Sequence, residues 1–214
     1  MRMVGTIAVG IVALLASPAQ AELPVVNEAR ASWQGCDYSI KVRQDVDPDY
    51  PYPVPLYRIS VQSTVVSPCT CSLTPRTVQL ATSKLVPRIA IAANAEGLAA
   101  AYSFGEYYRG YGSSIRLRVH RLDPSTMGSV RVAGLQANDV PENGGAGGPG
   151  EANLQGLTLY PGYLEVSGTL VGNSITQDPA TVPWPYPIVQ GSRFVATYPD
   201  FFGSTQQPPQ IVTY

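Results

Sequence analysis

IRLRVHRL, residues 115–122, alternates apolar and basic side chains from Ile115 through His120. In an extended chain successive side chains point to opposite faces, so Ile115, Leu117 and Val119 share one face and Arg116, Arg118 and His120 the other. A helix would scatter both sets around its circumference. The same period of two runs through LYRISVQSTVV, residues 56–66, where Tyr57, Ile59 and Val61 alternate with Arg58, Ser60 and Gln62. That is the pattern of a sheet with one wet face.

Working outward, the same reading predicts strands over 31–43, with Tyr38, Ile40 and Val42 on one face, and over 71–80, 85–92, 130–135, 157–160, 163–171 and 188–198. DVDPDYPYPVP (45–55) is an extended polyproline-like loop, PWPYP (183–187) interrupts the later strands, and 201–214 is extended and suited to a sheet edge. One window, 94–108, admits a helix: Asn94 can cap it and alanines stand at 95 and 99–101, while Gly97 and Gly105 weigh against it. Twenty prolines and twenty glycines leave few windows for a long helix. The expected fold is all-β, an antiparallel β-sandwich or barrel of about nine short strands with at most one short helix.

The first 21 residues carry the parts of a cleavable export signal: Arg2, the short apolar run TIAVGIVALLA (6–16), Pro18, and the small residues of Ala19-Gln20-Ala21. The run is too short for a retained membrane anchor, which needs about 17–25 apolar residues. A mature chain starting near Glu22 is therefore expected outside the cytoplasm, whether periplasmic, at the cell surface or extracellular. It divides into an N-terminal arm (22–30) and a single β-rich domain (31–214) with a glycine-rich loop at 141–150 (PENGGAGGPG). Without Arg2 the thirteen basic and fifteen acidic side chains leave a net charge near −2, which gives no reason to expect nucleic acid as a partner.

Cys36, Cys69 and Cys71 are expected to supply one disulfide, since an exported chain sits in an oxidising compartment. A bridge from Cys36 to Cys69 or Cys71 would contribute about 3–4 kcal/mol by the loop-entropy argument, and either partner satisfies the spacing. The lone histidine, His120, is too remote in sequence to complete a zinc site with these thiols. Asp45, Asp47 and Asp49 form a DxDxD triplet, but Tyr50 and Leu56 stand where an EF-hand loop needs glycine and glutamate, so a solvated acidic turn is the simpler reading. No GxSxG elbow accompanies His120, and Asp123, three residues on, falls on the opposite face of a continuing strand. The glycines of 141–150 lack the Lys-Ser/Thr of a phosphate loop. No catalytic residue, metal ligand or cofactor is assigned.

Arg116, Arg118 and His120, about 6–7 Å apart along one face, are the candidate ligand-binding residues. The stripe suits phosphate, sulfate or uronate groups; its plainer reading is a solvated face answered by carboxylates on a neighbouring strand, such as Glu165. The function expected is that of a non-enzymatic exported β-domain for binding or for envelope or surface structure, with an acidic glycan or another envelope protein as partner. Two alternatives stand beside it. One is a small secreted carbohydrate-active enzyme using Glu106, set among Phe104, Tyr107, Tyr108 and Tyr111, with a second carboxylate. The other is an outer-membrane barrel, against which Pro208-Pro209 count near the end of the chain.

Mass spectrometry of the digested, non-reduced protein should find Cys36 cross-linked to Cys69 or Cys71. Three free thiols, or a Cys69–Cys71 bridge alone, would refute the pairing.

Overall fold

The computed structural model describes residues 22–65, 75–108, 112–141, 147–178, 187–205 and 207–214, and over these the chain is all-β with no helix. The strands are β1 (Val25–Trp33), β2 (Cys36–Val46), β3 (Pro55–Val65), β4 (Arg76–Ser83), β5 (Ile89–Asn94), β6 (Gly97–Tyr108), β7 (Gly112–Leu122), β8 (Ser129–Asp139), β9 (Gly148–Pro149), β10 (Glu151–Tyr160), β11 (Tyr163–Val171), β12 (Ser174–Gln177), β13 (Arg193–Pro199) and β14 (Gln210–Thr213). That is more than the nine expected, in the sandwich class expected. The signal segment, Cys69 and Cys71 lie outside the described residues.

β1 to β4 form one antiparallel meander. The single strand expected over 31–43 is in fact the joint of two. Gln34 and Gly35 take φ of 50° and 76°, and Trp33 pairs directly with Cys36 across them. Two successive positive φ values are the signature of the tight turn whose twist matches a β-hairpin. The stretch 22–30, expected as an N-terminal arm, is mostly β1, hydrogen-bonded to β2 from Val25 to Trp33. Ala29 and Ala31 pack on the core, and Glu28 reaches Lys41 across the hairpin at 3.6 Å.

The second sheet runs β12-β8-β7-β10-β11-β13-β14, with β6 and then β5 added on the other side of β7. It wraps so that its two halves face each other. Ala99, Ala101, Leu117, Val119 and Leu135 meet Leu154, Val166, Phe194, Ala196 and Tyr198 in one core. The opposite face of β6 and β7 is covered by the meander: Leu98, Ala100, Tyr102 and Leu122 pack on Tyr38, Ile40, Ile59 and Val61 in a second core. β6 is thus buried on both faces, with Ala99, Ala100, Ala101 and Tyr102 all at 0% exposure.

Here the helix expected over 94–108 is overturned. A strand sandwiched between two cores has no polar side to alternate with, so its sequence becomes a continuous apolar run. Small residues let the backbones of three layers approach. The run Leu-Ala-Ala-Ala-Tyr that resembles a helix is a doubly buried strand, paired residue for residue with β7 from Leu98↔Leu122 to Tyr108↔Gly112.

β7 and β8 pair from Leu122↔Ser129 to Arg116↔Gln136 and then part. Past the parting, Asn138 and Asp139 pair with β9, while Ile115 donates its N–H to the Gly150 carbonyl and faces Glu151 of β10. The expected glycine-rich loop therefore ends in structure, as β9 and the start of β10 wedge into a fork. Gly150 makes this possible: a Cβ there would sit 2.8 Å from the Asn138 nitrogen and 2.7 Å from the Val171 oxygen.

Ala101→Leu inserts bulk between two layers that have no room for it and should cost about 1–3 kcal/mol, read as a lower urea midpoint at an unchanged slope. Unaltered stability would mean that the β6 face is not packed as described.

Candidate functional site

β7 delivers the stripe foreseen in the sequence, but its three members meet different environments. His120 is 6% exposed, under the meander. Its Nε2 shares a hydrogen bond with the Tyr102 hydroxyl (3.0 Å), its Nδ1 one with Ser129 Oγ (2.8 Å), and its ring stacks on that of Tyr102 with centroids 5.4 Å apart. Burial, with Arg118 adding its positive charge, lowers the imidazole pKa to about 4. His120 is a neutral core residue, closed off from solvent.

Arg116 and Arg118 remain about 40% exposed. The carboxylate that answers them is Asp178, just past β12, rather than Glu165 of β11. Its side chain is 7% exposed, with Oδ1 3.8 Å from Arg116 Nη1 and Oδ2 4.0 Å from Arg118 Nη2. These are ion pairs beyond hydrogen-bond reach, one carboxylate against two guanidinium groups. Arg118 also lies over the Phe104 ring, 4.8 Å from its centroid.

Two shallow hollows meet at Arg116. The first, about 260 Å3, lies where the ends of β3 and β4 approach β6 and β7, with Lys84, Phe104, Glu106, Ser114 and Arg116 in its wall. The second, about 240 Å3, occupies the β7/β8 fork and is walled by Ser114, Arg116, Gln136, Asn138 and the Gly148-Pro149 strand. Lys84 is held at the first hollow by a hydrogen bond to the Tyr50 hydroxyl (3.1 Å) and by Asp47 at 3.8 Å; the Tyr50 contact leads in raising its pKa.

Unpartnered polar atoms concentrate beside the second hollow. Among the described residues, six buried side-chain atoms lack a hydrogen-bond partner, and four of them belong to Asn138, Ser174, Thr176 and Asp178. Cross-strand register puts these on the Arg116 side of the sheet, since Ser174 faces Asn138 and Thr176 faces Gln136, itself opposite Arg116. Gln136 Nε2 donates to Asn138 Oδ1 at 3.0 Å, which leaves the Asn138 amide donor, on a residue 8% exposed, with nothing to bond.

The aspartate triplet is dispersed. Asp45 pairs with Arg58 at 2.6 Å, its pKa lowered first by the Val46 N–H and then by that arginine, while the buried Asp47 receives the Asp49 N–H and faces Lys84. Among the described residues no group of three or more His, Cys, Asp or Glu side chains is placed to hold a metal ion. Cys36 is buried opposite Val65, the residue from which the chain enters the segment bearing the other two cysteines.

Asp178, Asn138, Gln136 and Lys84 were not anticipated as site residues. A signal existed for two of them: alternation continues past Leu135 through Gln136, Ala137 and Asn138, so β8 is longer than the strand expected over 130–135. The chain matches no protein-family model, no curated protein and no solved structure.

His120 sets a pH dependence with a definite sign. Its folded pKa, about 4, lies below the ordinary 6.5, so between these values the unfolded chain takes up a proton that the folded chain refuses. Stability from this residue is complete above pH 6.5 and declines as pH falls toward 4, by about 3 kcal/mol in all. Urea titrations across that window should show the decline, and His120→Gln should flatten it; an unchanged slope in the variant would assign the effect elsewhere.

Proposed function

We propose that this protein is an exported, non-enzymatic β-sandwich that binds an acidic ligand, such as an acidic glycan, on the face centred on Arg116 and Arg118. The observation that carries the reading is the charge imbalance around Asp178. Two half-exposed guanidinium groups share one carboxylate at 3.8 and 4.0 Å, so the arginine pair keeps a positive charge, and Arg116 stands in the wall of both hollows. Guanidinium groups suit planar carboxylates and sulfates because their donors form a fork.

Export is supported by the leader-like first 21 residues and by three cysteines in a short chain. Cys36, buried beside the strand end that leads to Cys69 and Cys71, suits a stabilising disulfide. Among the described residues no helix is long and apolar enough to cross a membrane. The two clusters of buried apolar side chains lie between the layers, whereas an outer-membrane barrel turns an apolar band outward.

His120 has no direct part in this reading. Its contribution is to lock Tyr102 against the covered part of β7, while Arg118 and Arg116 follow it toward the other end of the strand.

The test is retention of the mature protein on immobilised polygalacturonate and on immobilised heparin. Retention should weaken as salt rises, because exposed charges are screened beyond about 8–10 Å at physiological ionic strength. Arg116→Gln with Arg118→Gln should abolish it; because this leaves the buried Asp178 carboxylate unanswered, some loss of stability is expected, and the melting temperature should show the variant still folded at the assay temperature. Salt-insensitive retention, or retention kept by the double variant, would refute this site, and hydrolysis of the polysaccharide would favour an enzyme instead.

A further inference from the structure

Arg116 belongs to both hollows, and the second exists only because β7 and β8 part beyond the Arg116↔Gln136 rung. Resting on the acidic-ligand reading above, we propose that the two hollows are consecutive subsites for a carboxylated saccharide chain, with the sugar carboxylate held in the fork by Arg116 and the Asn138 amide.

Size supports a chain over a compact ligand. Pockets for drug-sized molecules run to about 300–1,000 Å3. Each hollow, at about 260 and 240 Å3, falls short of that range and suits one small ring. The two share Ser114 and Arg116, so a ligand filling both passes Arg116 at their junction, where an acid group would meet the guanidinium.

Chemistry supports a carboxylate in the fork. The Asn138 Nδ2 donor is unpartnered on a residue more than nine-tenths buried, and Asn138 itself lines the hollow. An amide donor and a guanidinium at one site offer N–H groups to a planar anion. A buried donor left without an acceptor costs free energy, which a ligand oxygen recovers when the Asn138 amide, itself closed to solvent, turns into the hollow. The remaining polar wall, Ser114 and Gln136 in the fork and Thr82 in the first hollow, offers hydrogen bonds to ring hydroxyls. Lys84 stands in the first hollow with Asp47 at 3.8 Å and Glu106 in the same wall, and is the cation there that the acid group of the neighbouring unit would meet.

Calorimetric titration of the mature protein with galacturonate monomer, galacturonate tetramer and neutral galactose tetramer tests this. The galacturonate tetramer should bind at least tenfold more tightly than the monomer, and the neutral tetramer should not bind measurably. Asn138→Asp, which replaces the donor with an acceptor of the same shape, should weaken both acidic ligands at least tenfold, the scale of a lost hydrogen bond to a charged group. Asn138→Ala guards against a purely repulsive effect and should also weaken both. Lys84→Gln should weaken the tetramer and leave the monomer unchanged. Melting temperatures of the variants establish that they are folded.

Equal affinity for monomer and tetramer, or indifference to both Asn138 variants, overturns the proposal. If Arg116→Gln with Arg118→Gln still abolishes binding in that case, the anion site stands and only the subsite assignment falls. Binding of neither galacturonate ligand overturns the assignment of a carboxylated sugar, even if retention on heparin persists.

Discussion

The structure depends on the burial of β6 and β7 from both sides. These two strands are the middle layer: one face closes the core shared with β10, β11 and β13, the other the core shared with the meander of β1 to β4. Every other arrangement is referred to them. Because both faces must be apolar near the centre, the alternation of wet and dry positions is confined to the ends of β7. There the meander covers the sheet only with the ends of β3 and β4, and there the arginines stand.

That geometry explains why one stripe of three basic residues behaves in two ways. His120 lies under the meander and stays neutral, since a buried imidazolium beside Arg118 would lose its hydration and meet a like charge. Arg116 and Arg118 lie toward the less covered end and keep their charge by remaining half exposed, opposite a single buried carboxylate. Position along the strand, not residue type, divides a core residue from candidate ligand contacts.

The fork between β7 and β8 adds a second constraint. A continuous ladder would satisfy the backbone and leave the Arg116 face flat. The wedge of β9 and β10 keeps the backbone paired on each side of the parting but opens a hollow among side chains. Buried polar groups normally find partners, and the concentration of unpartnered atoms on Asn138, Ser174, Thr176 and Asp178 at this point is the exception in the described structure.

Much was legible from local pattern. Ile59, Val61, Leu117 and Val119 alternate in sequence and are fully buried, and the all-β class follows from such segments together with the prolines and glycines between them. Local pattern failed at 94–108, where burial on both faces erases alternation, and at 22–43, where the Gln34-Gly35 turn lacks the usual asparagine or aspartate. By itself the sequence determined which residues could form a basic stripe and that the chain is built of strands, because strand periodicity is a property of neighbours along the chain. Only the tertiary structure decided that His120 is core, that Asp178 rather than Glu165 faces the arginines, and that Asn138 joins Arg116 in a hollow. Those facts arise from which strands lie side by side and where a pair of them separates, and pairing across distant segments has no signature in the local order of residues.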